Sequence, residues 1–316
     1  MDKDKKLLVA IVGPTAVGKT EIAVEVALKL DGEIISADSM QIYRYMDIGT
    51  AKPTIDERKG VPHHMIDIID PDEDFSVAEF KAMAEKCIAD IHARGKLPIL
   101  SGGTGLYVNA VCYGYTFPSF EKDENLRNQL KIEAEKYGKE FLYNKLKQVD
   151  PKAAEKIHPN NLRRVIRALE VYIKTGVPFS YFEELTKKRG SPYDLLIFGL
   201  TRPREELYER INKRVLAMIE KGLVDEVKRL LEMGYTKELN SMQGLGYRQV
   251  IDYLEGQITL DEAIYLICRD TRRYAKRQYT WFRKDKNIIW LDVSKEGKEK
   301  IIENIINFVE GKLKNS

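Results

Sequence analysis

Apolar runs along the chain predict the strands of a parallel sheet. Each run is short, and we predict strands at residues 7–12, 33–37, 97–101, 194–200 and 287–292. The first run, Leu-Leu-Val-Ala-Ile-Val, contains no polar residue, which is typical of a strand that is buried on both faces. Apolar residues recur at helical spacing between and after the strands, at residues 21–30, 77–94, 204–221, 224–233, 260–283 and 295–312. Strands that alternate with helices indicate an α/β fold with a doubly wound parallel sheet.

The pattern changes from about residue 117. Residues 121–190 are rich in charge, show helical periodicity and contain no convincing strand. We therefore predict three segments: residues 1–116 form the first part of the α/β core, residues 117–192 form a helical insertion domain, and residues 193–316 complete the core.

Composition narrows the class of protein. The chain has 316 residues, of which 43% are hydrophobic and 32% charged, as expected of a soluble globular protein. Its apolar runs are far shorter than the roughly 20 residues that a membrane-spanning helix needs, so we expect no membrane partner. Residues 1–6 are mostly charged and do not resemble a signal peptide. The three cysteines show no paired spacing, which argues against disulfides and zinc. We expect a cytoplasmic protein.

A phosphate-binding loop follows the first strand. The pattern G-x-x-x-x-G-K-T lies between that strand and a predicted helix, and it consists of Gly13, Pro14, Thr15, Ala16, Val17, Gly18, Lys19 and Thr20. Backbone N–H groups and the helix dipole would bind a di- or triphosphate there. Lys19 would add a point charge, and the Thr20 hydroxyl would be a ligand of Mg²⁺. This P-loop is compatible with nucleotide kinases, with ATPases and with transferases that release diphosphate.

Asp38 comes directly after the second predicted strand. The carboxyl ends of parallel strands meet at the edge of the sheet where α/β proteins bind ligands, so Asp38 should face the P-loop. Its carboxylate could be a metal ligand, a general base or the N-cap of a helix. No acidic residue ends the third predicted strand, where the chain reads Ser101-Gly102-Gly103. The missing second magnesium ligand weakens the kinase and ATPase interpretations.

Several segments resemble those of the tRNA dimethylallyltransferases, also called tRNA isopentenyltransferases, of the bacterial MiaA family. The similar segments cover nearly the whole chain in order: GPTAVGKT, ISADSMQIYRYMDIGTAKPT, HHMIDIIDP, SGGTGLYVNA, MQGLGYRQVIDYL and RRYAKRQYTWFRKD. The resemblance implies a P-loop NTPase-like sheet with a tRNA-binding helical insertion. It also implies transfer of a dimethylallyl group from dimethylallyl diphosphate to N6 of adenosine 37, on the 3′ side of the tRNA anticodon, with release of diphosphate.

The same resemblance implies roles for single residues. The P-loop would bind the diphosphate with Mg²⁺, and Asp38 would accept a proton from the adenine amine. Thr104 would lie near the reacting amine, although it could also cap the following helix. Arg210 and Arg214 are four residues apart and share one helix face, so one of them, with Arg214 favoured, would reach the leaving diphosphate; the alternative is an exposed surface pair. Ser39, Met40 and Gln41 would contact the target nucleotide, the Gln41 amide by reading an adenine edge.

Basic charge is concentrated near the C-terminus. Residues 269–286 carry a net charge of +6, whereas the whole chain carries only +3, and four aromatic residues are interleaved with this charge. A basic helix with aromatic residues is typical of RNA binding, although a solvated amphipathic helix is the alternative. By resemblance, the contacts to the anticodon stem-loop would come from this helix and two further segments, through Arg163, Arg164, Arg167, Gln243, Gly246, Tyr247, Arg248, Arg273 and Arg277. The target base would have to leave its stack to reach Asp38.

Other functions remain open from the residues alone. A small-molecule or nucleotide kinase would use the same P-loop with ATP. A nucleotide-gated RNA-binding module would bind tRNA without forming a product. An adenylate isopentenyltransferase would act on free AMP and would not need the insertion or the basic helix. We expect the chain to act as a monomer.

Overall fold

The apolar runs form an all-parallel sheet in the computed structural model, which describes residues 5–120 and 123–314. The spatial order of the strands is β3-β2-β4-β1-β5-β6. Their bounds are β1 Leu7–Val12, β2 Gly32–Ser36, β3 His63–His64, β4 Leu97–Gly102, β5 Asp194–Thr201 and β6 Ile288–Asp292. This arrangement confirms the predicted α/β fold with a doubly wound parallel sheet.

Fifteen helices lie in the described part of the chain. Their bounds are α1 Lys19–Lys29, α2 Ile55–Arg58, α3 Val77–Ala93, α4 Gly105–Cys112, α5 Glu124–Tyr137, α6 Lys139–Val149, α7 Pro151–Lys156, α8 Leu162–Thr175, α9 Phe179–Arg189, α10 Arg204–Glu220, α11 Leu223–Glu232, α12 Tyr247–Leu254, α13 Leu260–Phe282, α14 Val293–Glu296 and α15 Lys298–Lys314. None of them is both long and apolar enough to cross a membrane.

The chain divides into two compact units. The larger unit consists of Met1–Cys112 with Tyr193–Ser316 and contains the sheet, and the smaller unit is Tyr113–Pro192. The described residues of the smaller unit contain helices α5 to α9 and no strand, and the core is built from apolar side chains of these helices such as Leu130, Leu142, Leu146, Val165 and Leu169. Residues 121 and 122, which fall in the predicted insertion, and residues 1–4 lie outside the described residues.

Strand register brings three strand ends together in the larger unit. Val12 at the end of β1 pairs with Gly102 at the end of β4, and Ser36 at the end of β2 pairs with Ser101. The chain reaches β2, β3 and β4 on one side of β1, and β5 and β6 on the other. The loop after β1 therefore lies at the point where the strand order reverses, which is the usual ligand position in open α/β sheets.

Two apolar clusters support this edge of the sheet. In the first, β1 packs against α1 and α15 through fully buried side chains such as Val9, Ile11, Val26, Ile301 and Ile305. In the second, the segment after β2 packs on α11 and α12 through Ile42, Met46, Leu223, Val227 and Val250. Each such side chain stabilises the fold by about 1.5–3 kcal/mol. The second cluster fixes the irregular segment that follows Asp38.

The structure differs from the predicted elements in several places: it contains the short helices α2 and α12, which were not predicted, and two further differences have a clear physical reason. The sequence pattern did not predict β3, a two-residue edge strand that pairs with Ile34 and Ile35 of β2. The predicted helix at residues 295–312 is interrupted, because Gly297 has a left-handed backbone with φ of 81° that separates α14 from α15. A residue with a side chain rarely adopts this conformation, so glycine ends one helix here and the next begins.

Candidate active site

The P-loop wraps around the N-terminus of α1. Gly13 has a φ of 149°, and a Cβ there would lie 2.8 Å from the carbonyl oxygen of Leu200, so only glycine fits beside β5. Gly18 precedes α1 with a φ of 107°, and no side chain caps the helix. The first N–H groups of α1 therefore remain available for an anion, and the helix dipole favours negative charge at the same place.

Three side chains from distant segments hold the P-loop backbone. Arg210 Nε donates to the carbonyl of Ala16 at 2.9 Å, and Arg202 Nε donates to the carbonyl of Val17 at 2.9 Å. Gln278 Oε1 accepts from the N–H of Thr15 at 2.9 Å. Arg210 is exposed overall but contacts the P-loop backbone, whereas Arg214 is half-buried. Sequence reasoning missed Arg202 and Gln278, because no local pattern marks a contact between residues so far apart in the chain.

Lys19, Arg214 and Asp38 interact electrostatically. Burial and the neighbouring charge of Arg214 lower the pKa of Lys19 to about 7, and the charge of Asp38 opposes this shift. Burial and the charge of Arg210 also lower the pKa of Arg214. Two cations that repel each other beside a helix N-terminus make a site that a diphosphate would stabilise. Asp38, which lies just after the end of β2, is close enough to interact with this site.

The Asp38 carboxylate forms a turn and not a helix cap. Its Oδ1 accepts from the N–H of Met40 at 2.9 Å, and no helix begins in the residues that follow. An aspartate that bonds the N–H two residues ahead is typical of an Asx turn. Burial raises the pKa of Asp38, while the N–H groups of Met40 and Gln41 and the charge of Lys19 oppose the rise. A carboxylate with a raised pKa beside a phosphate site is a candidate general base.

Thr104 lies directly beside this turn. Its Oγ1 accepts from the N–H of Ser39 at 3.0 Å, and its own N–H donates to the carbonyl of Ala37 at 3.1 Å. The approach of the two segments requires Gly102, since a Cβ there would lie 2.2 Å from the Ala37 oxygen. Thr104 also hydrogen-bonds Tyr274, whose pKa burial raises to about 12. The structure thus brings Asp38, Thr104 and the P-loop to one edge of the sheet.

The Gln41 amide is already engaged within the protein. Its Oε1 accepts from the Ser36 hydroxyl at 3.0 Å, and its Nε2 donates to the carbonyls of Thr50 and Ala51 at 3.4 and 3.3 Å. The prediction that this amide reads an adenine edge would require these bonds to open. Ser39, Met40 and Gln41 are half-buried next to Asp38, so this segment borders the candidate site.

The oxygen donors at the site fit a magnesium ion that is shared with a diphosphate. Thr20 lies at the start of α1 with its side chain exposed, and Asp38 faces the same site. Among the described residues, no three His, Cys, Asp or Glu side chains are grouped to hold a metal ion. Mg²⁺ usually keeps several waters and binds through one or two protein oxygens plus substrate phosphates. The Thr20 hydroxyl, with no protein cage around it among the described residues, suits that mode of binding.

The basic helix α13 carries both exposed and internal contacts. Arg273 and Arg277 are exposed, and the Arg277 guanidinium lies 5.6 Å from the ring centre of Tyr274. Gln278 and Tyr274 reach inwards to the P-loop and Thr104. One helix therefore joins an exposed basic surface to the candidate site.

Two residues at the start of α12, Gly246 and Tyr247, do not fit their predicted contact with RNA. Tyr247 is fully buried, and its hydroxyl donates to Glu226 at 2.7 Å. Tyr247 is therefore a core residue, contrary to the prediction that it contacts RNA, because its ring lies on the apolar face of α12. Gly246 is buried as well, whereas Gln243 and Arg248 are exposed, and Arg248 forms an ion pair with Asp270 at 2.8 Å.

The predicted arginine cluster of the insertion lies at the start of α8 in the smaller unit. Arg163 and Arg164 are exposed. Arg167 is half-buried and forms an ion pair at 2.8 Å with Glu170, a buried carboxylate that also pairs with Arg127. Only the first two of these arginines present their charge fully to solvent.

Comparisons with known proteins place this arrangement among transferases. The family model described as IPP transferase matches residues 41–285, and one described as isopentenyl transferase matches residues 6–71. The chain is 57% identical to a tRNA dimethylallyltransferase of Carboxydothermus hydrogenoformans over 95% of this chain and 96% of that protein. It is 51% identical to the solved tRNA isopentenylpyrophosphate transferase of Bacillus halodurans, with a TM-score of 0.74 over 98% of both chains.

A solved eukaryotic dimethylallyltransferase described as acting on tRNA has the same fold. It is 31% identical to this chain, with a TM-score of 0.85 over 98% of this chain and 80% of the eukaryotic one. The similarity thus extends over the P-loop, the turn at Asp38 and the basic helix together.

Proposed function

Because the chain belongs to the IPP transferase family, whose relatives are tRNA dimethylallyltransferases, we propose that it moves a dimethylallyl group from dimethylallyl diphosphate to N6 of adenosine 37 in tRNA. The chain is a prenyltransferase that acts on tRNA, and the comparisons do not favour a P-loop kinase.

One observation carries the proposal. A phosphate site with the charges of Lys19 and Arg214 adjoins a half-buried carboxylate, Asp38, whose pKa is raised. A kinase needs acidic metal ligands around its nucleotide, and a phosphotransfer site without them is unusual. A reaction in which diphosphate leaves and an amine loses a proton needs both of the groups found here.

The reaction forms one bond and breaks another at the same carbon atom. The N6 lone pair of adenine forms a bond with C1 of the dimethylallyl group, and the C1–O bond breaks with its electron pair moving to the diphosphate. The P-loop N–H groups, Lys19 and Arg214 would stabilise that developing charge. Asp38 would accept the N6 proton, and Thr104 would orient the amine through the same turn.

Mg²⁺ would be held by the Thr20 hydroxyl and by the diphosphate oxygens. When bound, the ion would neutralise charge on the leaving group. Arg210 would act on the same side of the site by fixing the P-loop carbonyl of Ala16, which keeps the neighbouring N–H groups pointed at the anion.

The tRNA would approach along the exposed face of α13. Ser39, Met40 and Gln41 would border the base, and Gln243, Arg248, Arg273 and Arg277 would contact the anticodon stem-loop. Arg163, Arg164 and Arg167 would add contacts from the insertion. Since A37 is stacked in the loop, it would have to turn out to reach Asp38. Because one chain carries both the P-loop and Asp38, we propose a monomer, and a tRNA substrate is consistent with a cytoplasmic location.

A substrate-choice assay tests the function. The purified protein is incubated with Mg²⁺ and dimethylallyl diphosphate labelled in the allyl group, together with unmodified tRNA or AMP; ATP with candidate acceptors is tested in parallel. We expect label in tRNA alone and at adenosine 37. Label in AMP would indicate an adenylate isopentenyltransferase, turnover of ATP would indicate a kinase, and tRNA binding without product would indicate an RNA-binding module.

Substitution of the exposed arginines of α13 should weaken tRNA binding in a salt-dependent way. For Arg273→Ala and Arg277→Ala, we expect the slope of log Kd against log salt to fall by about one unit for each phosphate that the protein no longer neutralises. Filter binding at several salt concentrations measures the slope. Arg229→Ala, which removes an exposed arginine from α11, is the control and should leave the slope unchanged. An unchanged slope in the α13 variants would mean that this face does not meet RNA.

A further inference from the structure

Residues 41–52, which we call the acceptor loop, follow the turn at Asp38 in a costly backbone conformation. Tyr45 and Ala51 have φ values of 67° and 50°, in the left-handed region that side chains disfavour. The chain that runs alongside contains two more such residues, Met65 and Asp67, with φ values of 63° and 57°. Backbone of this kind persists only where surrounding contacts hold it, so specific contacts must stabilise the conformation of the acceptor loop.

Glu226 of α11 holds the acceptor loop from one side. The residue is only 2% exposed. Its Oε2 accepts from the N–H groups of Asp47 at 3.0 Å and Ile48 at 2.7 Å. Its Oε1 accepts from the N–H of Gly49 at 3.1 Å and from the Tyr247 hydroxyl at 2.7 Å. A buried carboxylate needs such donors. The oxygens of Glu226 are therefore hydrogen-bonded only while the acceptor loop keeps this conformation.

Lys52 holds the acceptor loop from the other end. The residue is 8% exposed. Its ammonium donates to the carbonyl of Tyr43 at 2.9 Å and to the carboxylates of Asp47 and Asp67. Asp47 is shared by both clamps, since its N–H bonds Glu226 and its carboxylate bonds Lys52. The two buried charges thus act on one stretch of backbone.

Hydrogen bonds of Gln41 couple the conformation of the acceptor loop to Asp38. Gln41 Nε2 donates to the carbonyls of Thr50 and Ala51, which lie between the two clamped ends. The backbone N–H groups of Gln41 and Met40 in turn hydrogen-bond the Asp38 carboxylate. Two hydrogen-bonded steps therefore separate the clamped backbone of the acceptor loop from the proposed base.

We propose that Glu226 and Lys52 are positioning residues for the transfer reaction, which fix the acceptor loop and thereby hold Asp38 in line with the acceptor amine. The proposal rests on the proposed function for its chemistry, and on the contacts above for its geometry. Neither side chain needs to touch either substrate. Misplacement of a reacting group by about 1 Å lowers a rate about 100-fold, so loss of a clamp should act on the chemical step.

Two variants of similar size test the clamps. Glu226→Gln replaces one acceptor oxygen by an NH₂ group that would face N–H donors, and Lys52→Met removes the ammonium but keeps the stem. We expect the single-turnover rate at saturating tRNA and donor to fall about 10- to 100-fold per active site. The Kd for inorganic diphosphate should change less than about twofold, because the P-loop lies outside the clamp network. Lys52→Arg, which restores a cation, should recover part of the rate.

The controls separate positioning from stability. Lys300→Met and Glu303→Gln break an exposed ion pair on α15, at 2.8 Å, and should leave the rate unchanged. Amide hydrogen exchange should accelerate at residues 47–49 in the clamp variants but not in the P-loop. An unchanged rate per active site, together with a lower melting temperature, would overturn the proposal.

The exchange measurement also keeps the two proposals apart. If the wild-type chain forms no prenylated tRNA, the proposed function fails. The clamps are then still judged by exchange at residues 47–49, and unchanged exchange in both variants would overturn the positioning role by itself.

Discussion

Asp38→Asn should bind tRNA as the wild type does and transfer the dimethylallyl group about 10²- to 10⁴-fold more slowly. The asparagine oxygen can still accept from the N–H of Met40, so the turn is kept. The variant lacks a group that can accept the N6 proton in the transition state. An exocyclic adenine amine is a poor nucleophile, and a base placed at it therefore contributes a large part of the rate.

Single-turnover transfer and tRNA filter binding measure the two effects separately. Asp72→Asn changes an exposed carboxylate and serves as the control. A loss of tRNA affinity equal to the loss of rate would mean that Asp38 shapes the loop and does not carry the proton.

The pH dependence of the wild-type rate should identify the same group. Burial raises the pKa of Asp38 above its ordinary value of about 3.9. The base works only when it is deprotonated, so kcat/KM should fall as the pH drops through this raised value. Lys19, Tyr107 and Tyr274 interact with this carboxylate, and Lys19 bears the opposite charge. The acid limb should disappear in Asp38→Asn.

Lys19→Met should lower kcat/KM for dimethylallyl diphosphate about 10²- to 10³-fold and weaken binding of inorganic diphosphate. Lys19 lies at the first position of α1, where its charge adds to the helix dipole and to Arg214. A charge in a water-poor site acts on a developing anion far more strongly than one in solvent.

Steady-state kinetics with varied donor and saturating tRNA provide the measurement. Lys29→Met removes an exposed lysine from the other end of the same helix and should have no effect. If Lys19→Met binds diphosphate normally, the leaving group does not lie in the P-loop.

The local parts of the fold and site were predictable. Strand bounds follow from apolar runs. The predicted bounds therefore differ by at most one residue from those of β1, β2, β4, β5 and β6. The P-loop is equally local, since its conformation depends on Gly13, Gly18 and their neighbours. The edge strand β3 was not predictable, because two adjacent histidines show no apolar alternation and their pairing depends on β2.

Contacts between distant segments could not be read from local patterns. Spacing places Arg210 and Arg214 on one face of α10, but only packing shows that this face meets the P-loop. Gln278 contacts Thr15 across 263 positions, and nothing in its neighbourhood marks that contact.

Glu226, by contrast, has a recognisable signal in the sequence. It shares the apolar face of α11 with Leu223, Val227 and Leu230, all buried. A charge on such a face is a candidate for a buried, fully bonded role. The same reasoning explains the error at Tyr247, since its position on the apolar face of α12 with Val250 and Ile251 favours the core.

The lowered pKa of Lys19 should make diphosphate binding a proton-consuming event. With a pKa of about 7 in the free protein, part of the population is neutral at physiological pH. A bound anion favours the charged form, so binding raises this pKa and takes up a fraction of a proton from the buffer. The heat of binding measured by calorimetry should therefore vary with the ionisation enthalpy of the buffer. Affinity should weaken as the pH rises above about 7, because protonating Lys19 then costs progressively more free energy.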